Sequence, residues 1–407
     1  MIYDIAIIGG GYGGLVLAIS CARAGLLVCL IEKNDKLGRK ILSTGNGRCN
    51  FTNTDMDWHN FYSSADLSAL RIDYQASVDF LNSCGVAAND NKGYYYPMTN
   101  AAATVREALA SELDSYKNVT VFLNETAADI SKKSENFIVK TDKRQIESMK
   151  LCLATGGKSQ PKLGSSGDGH KFASKLGLKL RPTAPALVGL NSEDKRLKNL
   201  AGVRAIGRCK YKDTIFEGEV QFNKDSISGF PVMCLSRQVS LDLKLGQNCL
   251  LVIDTVPYMT EAELLTELTG RAYGRCAEKG CYYVLLGLVN EKIIDTCLKD
   301  LRISDNTKGG ELSKKQLNAI CRFLKGMEFT ISSTKGYESS QVTAGGVDLS
   351  EINLETMEVN KPELKGLYII GELLDVDGIC GGYNLEWARY SADCAYRDII
   401  NDSNKSV

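Results

Sequence analysis

The sequence predicts an α/β protein: a discontinuous, Rossmann-like dinucleotide-binding domain interrupted by a β-rich insertion and a small helical subdomain. Three observations predict it. The first 32 residues run strand, glycine turn, helix, strand, acid. Two further short apolar runs end in small-residue turns, "LCLATGG" at 151–157 and, some two hundred residues later, "GLYIIGELLDVDG" at 366–378. Between them the pattern changes to strand-like, glycine-punctuated segments ("ALVGL", "FEGEVQF", "CLLVIDTV") and then to leucines at helical spacing over 260–325. The order of pieces places the dinucleotide domain at 1–185 and 335–407, the β-rich insertion at 186–256 plus about 326–334, and the helical subdomain at 257–325, opened by a capping box at Thr260 and Glu263.

"YDIAII" at 3–8 is a short apolar run suited to a strand buried in a parallel sheet. "GGGYGG" follows, giving Gly9-x-Gly11-x-x-Gly14 with Gly13 inside it. Leu15, Ala18, Ile19 and Ala22 then repeat at helical spacing, Gly25 suits the helix exit, and "LLVCLIE" ends a second strand at Glu32. Glycines make the tight turn and let backbone approach a diphosphate, whose charge favours the helix N-terminus. Glu32 is placed to accept hydrogen bonds from the adenosine ribose, an acid there instead of a base disfavours a 2′-phosphate, and Lys33 beside it is a further candidate cofactor contact. The nucleotide is therefore FAD or NAD.

Composition narrows the partners. Among 407 residues, Lys plus Arg and Asp plus Glu both number 49, and the 44% hydrophobic content is ordinary for a globular chain. No basic stripe stands out, so neither nucleic acid nor a membrane is an expected partner, and a small-molecule substrate is. The apolar opening lacks a positive leader region, carries Asp4 and is broken by five glycines, so it reads as strand and turn and the expected location is cytoplasmic. Fourteen cysteines contain no Cys-x-x-Cys pair. That spacing argues against a metal centre or dithiol and leaves buried fillers in a reducing compartment. The two histidines, His59 and His170, are expected at surface or loop positions.

The runs at 151–157 and 366–378 resemble the second and third FAD-contacting segments of the glutathione-reductase-like flavoprotein superfamily. That resemblance implies that Thr155, Gly156 and Gly157 return the chain to the cofactor, and that the acid after Gly371 holds the ribityl chain. Asp is commoner there; this chain has Glu372. "CGGYN" at 380–384 precedes Leu385, Ala388, Ala392, Ala395 and Ile399 at helical spacing, so a helix starting near Tyr383 directs its positive end at a flavin edge that gains negative charge on reduction. No second Gly-x-Gly-x-x-Gly follows a strand, so NAD(P)H, if it is the reductant, docks transiently.

The stretch "GRKILSTGNGRCNFTN" at 38–53 has no helical or strand period and reads as a loop on the flavin side. Together with "TAGGVDL" (343–349), "TMEVN" (356–360) and "CGGYNLEWA" (380–388) it resembles the FAD-dependent oxidoreductase family that includes BaiN-type 3-dehydro-bile-acid reductases and aminoacetone oxidases. The likeness spans essentially the whole chain. "KLGSSGDGH" at 162–170 resembles the family's "GSTGDG" turn with His170 where Tyr is common, and "GEVQFNKDSISGFPV" at 218–232 departs from the family pattern. The resemblance implies a reductase that passes a hydride from FAD to an activated C=C bond, with a flavin amine oxidase or an electron carrier as alternatives.

Candidate cofactor contacts in the flavin-side loop are Arg39, Lys40, Ser43, Gly45, Asn46, Gly47, Arg48, Cys49 and Asn50; at the far end they are Gly371, Glu372, Asp377, Gly382, Tyr383 and Asn384. Backbone amides freed by glycine can bond a flavin edge, and a nearby cation favours the reduced, anionic ring. With so few histidines, tyrosines are the better proton donors: Tyr383 and Tyr96, with Arg48, are the catalytic candidates, while Tyr94 and Tyr95 share the same motif. Asp375 and Asp377 read as loop-cap acids, Arg39 and Lys40 equally as a solvated pair, and Cys49 equally as a small filler.

Overall fold

The computed structural model describes residues 1–405, which form two compact units: Met1–Ala184 with the segment from Gln341 onward, and Pro185–Ser340. The first unit is built on a mixed sheet. Its strands are β1 (Ile2–Ile8), β2 (Val28–Ile31), β3 (Val119–Phe122), β4 (Ala127–Lys133), β5 (Asn136–Thr141), β6 (Gln145–Leu153) and β7 (Leu367–Ile369). The spatial order is β3-β2-β1-β6-β5-β4, with β7 also on β6. Pairings among β3, β2, β1, β6 and β7 are parallel, whereas β5 and β4 return antiparallel. Ile5, Ala6 and Ile7 are fully buried, as expected of a central parallel strand covered on both faces.

Helix α1 (Tyr12–Arg23) follows β1, and Gly25, just past its C-cap, takes φ +84°, so it serves as the helix exit. Helix α2 (Tyr74–Ser83) is capped by Asp73, α3 (Ala102–Asp114) and α4 (Asp168–Lys175) come next, and α5 (Tyr383–Lys405) closes the chain. A close crossing joins α1 to α5: a Cβ on Gly13 would stand 3.1 Å from the Ala388 carbonyl oxygen.

The second unit has its own core around Leu251, Ile253, Ile320 and Phe329. An antiparallel sheet runs in the order Met327–Ile331, Cys249–Asp254, Arg204–Tyr211, Thr214–Phe222, Ser226–Gly229, Leu190–Asn191, Ser333–Thr334. Helices Glu261–Tyr273, Tyr282–Leu285, Glu291–Asp300 and Lys314–Lys325 follow the strand that ends at Asp254, and the capping box at Thr260 and Glu263 is formed. The fold is thus the expected one: a discontinuous α/β domain carrying an insertion with β-rich and helical parts.

Within 186–256 the strand-like reading is incomplete, because Phe230–Lys244 is a helix. Pro231 occupies its first turn, where a fixed φ and a missing N–H cost nothing, and Val232, Leu235 and Val239 bury one face. Gly229, at φ +99°, ends the preceding strand; a Cβ there would lie 2.1 Å from the Glu219 carbonyl oxygen. Among the described residues no helix is long and apolar enough to cross a membrane.

Candidate functional site

The glycines of the first turn each meet a distinct steric demand. Gly9 turns the chain at φ +107°, with a would-be Cβ 2.5 Å from the Ala154 carbonyl oxygen of the neighbouring strand. Gly11 has nothing within 4 Å of that position, leaving open space at the head of α1. Gly14 packs onto the turn, its would-be Cβ 2.0 Å from the Gly9 carbonyl oxygen. These are the three jobs of a diphosphate-binding turn: bend, approach, close packing. Gly11 is the N-cap of α1 and makes no side-chain capping bond, and no acid lies in the first turn, so the positive helix end is uncompensated.

Glu32 follows β2 and is 8% exposed. Its Oε2 accepts the Gly10 N–H at 2.8 Å, while Oε1 accepts the Asn34 N–H at 2.8 Å and Asn34 Nδ2 at 2.6 Å. The carboxylate is therefore locked to the glycine turn. Lys33 pairs with Asp168 at 2.6 Å; burial raises the Asp168 pKa, but Lys33 and Ser166 more than offset it and hold the carboxyl below its ordinary value.

The segment 38–53 is not an unstructured loop. Arg39–Gly47 winds in 3-10 turns with a break where Gly45 and Asn46 take left-handed φ of 54° and 55°. No period was visible because left-handed residues interrupt it every few positions; Gly47 and Cys49 also have positive φ. Arg39 donates to Asn34 Oδ1 at 3.0 Å, and Ser43 Oγ to Gln160 Oε1 at 2.5 Å. Lys40 reaches Glu372 Oε2 at 2.5 Å, across 332 positions of sequence. Glu372 Oε1 accepts the Thr343 N–H at 2.9 Å, and Thr343 Oγ1 accepts the N–H groups of Lys158 and Ser159. Gly157 allows this cluster to close, since a Cβ there would stand 2.5 Å from Glu372 Oε1. Beside it, Gly156 takes φ +68° and the buried Thr155 hydroxyl has no hydrogen-bond partner among the described residues.

The start of α5 docks on the other end of the same segment. Asn53 Nδ2 donates to the Gly381 carbonyl, and a Cβ on Gly382, at φ +90°, would press into the Thr52 backbone at 2.9 Å. Tyr383 is buried, its ring edge-on to Phe61 at 5.5 Å. Gly371, at φ +68°, donates its N–H to Ser391 Oγ of α5 at 2.9 Å. Arg48 is exposed and lies 4.9 Å over the ring of Tyr96, in strand Tyr94–Pro97.

Several expected contacts are turned elsewhere. Asn50 donates to the carbonyls of Thr52 and Tyr95, and Asn384 both accepts from and donates to the Gly378 backbone at 2.9 Å, so these two amides serve the fold. Burial pushes the Cys49 thiol up to about 12, against a weaker pull from Thr44, which fits a filler and not a reactive thiol. Asp377 is not a loop acid: it lies buried in strand Val376–Gly378, paired with Phe61–Ser63. His170 is not at the surface either. It sits buried in α4, neither ring nitrogen has a hydrogen-bond partner among the described residues, and burial together with Lys158 lowers its pKa to about 4. The "SSGDG" turn ahead of it masked a helix start.

One feature carried no sequence signal at all. A cavity of about 280 Å³ is lined by Met56, Trp58, Phe61, Leu67, Leu70 and Ile72, with Arg71, Asp57 and Asp73 among them. Its residues come from an irregular stretch without a repeat or motif. Phe61 is shared: it walls the cavity and touches Tyr383.

The chain matches the family described as HI0933-like protein Rossmann domain over residues 3–397. It is 35% identical to the 3-dehydro-bile acid delta(4,6)-reductase of Clostridium scindens, over 94% of this chain and 96% of that one. It is 30% identical to the ribosomal RNA dihydrouridine synthase of Escherichia coli, over 98% of both chains, and 28% identical to that of Haemophilus influenzae, over 95% and 96%. The bare helix end above Gly11, the Glu32 clamp and the cleared backbone at Gly157 fit an FAD dinucleotide.

Proposed function

We propose that this member of the HI0933-like Rossmann family, an FAD-dependent oxidoreductase, saturates a C=C bond conjugated with a carbonyl group. One observation carries the reading. A delta(4,6)-reductase of a 3-dehydro bile acid and a dihydrouridine synthase, both similar to this chain over at least 94% of its length, act chemically on the same kind of bond. In each, an alkene is made electron-poor by an adjacent carbonyl.

The geometry supports a set of residues for the cofactor. Gly11, Gly13 and Gly14 at the head of α1 would take the diphosphate, Glu32 the ribose, and Glu372 with Lys40 the ribityl chain. Gly45 to Arg48 and Gly382 to Tyr383 would flank the ring. FAD held there would, once reduced, supply the hydride for the carbon distal to the carbonyl. The chain's own groups do the rest. The Arg48 guanidinium, held over Tyr96, can donate to the substrate carbonyl oxygen, which favours charge developing there. Tyr383 or Tyr96 delivers a proton to the carbon beside the carbonyl. The cavity beside Phe61, near the lower end of the ~300–1,000 Å³ range of small-molecule sites, can seat an apolar substrate body. NAD(P)H serves as a transiently docked electron donor.

The substrate is a small enone on this reading. A uracil base within RNA is the second reading, favoured by the two dihydrouridine synthases among the relatives. Anaerobic mixing of reduced enzyme with a 3-oxo-Δ4 steroid and with uridine-containing ribosomal RNA, and aerobic incubation of oxidised enzyme with an aminoketone, test this. Flavin reoxidation by the steroid supports the reading, reoxidation by RNA alone moves the substrate to the second, and turnover of the aminoketone with oxygen alone overturns both.

A further inference from the structure

The first turns of α5 hold an ion pair that the proposed chemistry does not use. Glu386 and Arg389 have side chains only 0% and 4% exposed. Arg389 donates to Glu386 Oε1 through Nε at 2.8 Å and through Nη2 at 2.7 Å. The second oxygen, Oε2, has no hydrogen-bond partner among the described residues. Around the pair, the buried hydroxyls of Tyr12 in α1, Thr52 and Ser77 in α2 are likewise without a hydrogen-bond partner among the described residues. Thr52 and Ser77 face the carboxylate, and Tyr12 lies within electrostatic reach of Glu386, Arg389, Cys49 and Cys84. Asp393, one turn on, stands 3.6 Å from Arg389. The pair is thus walled by α1, α2, the segment at Thr52 and α5 itself.

Such a pair is expensive. Desolvating two charges costs more than their attraction returns in many cores, and apolar replacements are often neutral or stabilising. A carboxylate in the first turn of a helix also cancels part of the positive end, and the arginine behind it restores part. The net field at the start of α5 is therefore set by the balance of Glu386 and Arg389, three and six residues beyond Tyr383. The first turn of α1 itself contains no acid.

We propose that Glu386 is a positioning residue for redox tuning: clamped by Arg389, its carboxylate sets the field that the N-terminus of α5 presents to the flavin and so fixes how readily the ring is reduced. The inference rests on the reading that α5 starts at the flavin ring. A flavin gains negative charge on reduction. Glu386→Gln keeps the shape, removes the negative charge and leaves Arg389 with only the more distant Asp393 carboxylate, so reduced flavin is favoured. A unit charge acting at an effective dielectric of about 20 over some 10 Å corresponds to roughly a ten-fold shift.

The test is a reductive titration of FAD-loaded enzyme against a reference dye, for wild type, Glu386→Gln and the double variant Glu386→Gln with Arg389→Met. The single variant should raise the ratio of reduced to oxidised flavin about ten-fold at equal poise, and the double variant should bring it back to within about three-fold of wild type. An unmoved single variant, or a double variant displaced as far as the single one, overturns the inference, since a merely structural role predicts no reversal. If Glu386→Gln does not fold, Asp393→Asn at the edge of the cluster carries the test, with a smaller shift in the same direction expected and no shift overturning it. Protein that binds no FAD at all refutes the reading of the site; protein that binds FAD with an unchanged potential refutes only the tuning role.

Discussion

The head of α1 and the head of α5 are both helix starts fed by glycines, and they are built in opposite ways. At α1 the end is left bare: Gly11 faces open space, no side chain caps the helix, no acid stands in the first turn, and the Glu32 carboxylate is tied to the Gly10 N–H. At α5 the chain adds: Tyr383 and the Glu386–Arg389 pair are packed into the first turns. A diphosphate carries a fixed charge, which a bare positive end suits. A flavin ring changes its charge during turnover, and a helix end with adjustable compensation suits that. The contrast teaches that a glycine turn marks where a helix meets a ligand, and the buried residues behind it mark what the ligand does.

The sharpest way to break the comparison is at the bare end. Gly14→Ala forces a Cβ to within 2.0 Å of the Gly9 carbonyl oxygen, so α1 must shift off its turn. A loss of about 3 kcal/mol of stability is expected, together with loss of FAD binding. Thermal melting with and without added FAD checks both, and a variant that melts and binds like wild type contradicts the steric assignment.

Next in size is Glu32→Ala. The substitution leaves the Gly10 N–H buried without its acceptor and removes the ribose ligand, so FAD should bind roughly ten- to a hundred-fold more weakly. Isothermal titration of apoprotein with FAD measures it directly. An unchanged affinity would remove Glu32 from the site.

The pH dependence separates the two regions from a third. His170 has a folded pKa of about 4 against an unfolded value of 6.5. Between those values the unfolded chain binds more protons, so stability falls as pH drops through 6.5 and levels off below about 4, by up to ~3 kcal/mol. His170→Phe should flatten that acid limb in melts between pH 4 and 7. Glu386 has the opposite sign. Burial raises its pKa against the pull of Arg389, so the native state holds the extra proton and its contribution weakens as pH rises above 4.5. A slope in the His170→Phe variant identical to wild type would place the acid sensitivity elsewhere.

Smallest is Arg48→Ala. An exposed cation over an aromatic ring contributes ~0.5–1 kcal/mol, so stability should barely change while turnover with an enone falls and FAD affinity holds. Equal losses in FAD binding and turnover would instead make Arg48 a cofactor ligand.

How much of this was legible in the sequence depended on how local its cause is. Gly9, Gly11 and Gly14 were readable because each answers a steric rule within a few residues, and Glu32 because its distance from them is fixed by one strand and one helix. The contact between 38–53 and "CGGYN" was readable only as two stretches of similar composition; the Lys40–Glu372 pair and the Asn53 bond to Gly381 depend on chain crossings that no local spacing encodes. Phe230–Lys244 was hidden by a proline that breaks helices everywhere except at their start. His170 was misplaced because a polar turn of glycines and serines precedes a helix that is buried. Glu386 and Arg389 stand three apart on a helix, a spacing that on most helices marks a solvated pair, and burial by three other segments reverses that meaning.

The most direct measurement is a single anaerobic turnover. Enzyme with its FAD fully reduced is mixed with one equivalent of a steroid enone, and the product is weighed by mass spectrometry. Oxidised flavin and a product heavier by two hydrogens are expected, saturated at the C=C bond next to the carbonyl, with the carbonyl intact. Flavin that stays reduced with conjugated alkenes, or that is reoxidised without any saturated product, would contradict the proposed reduction.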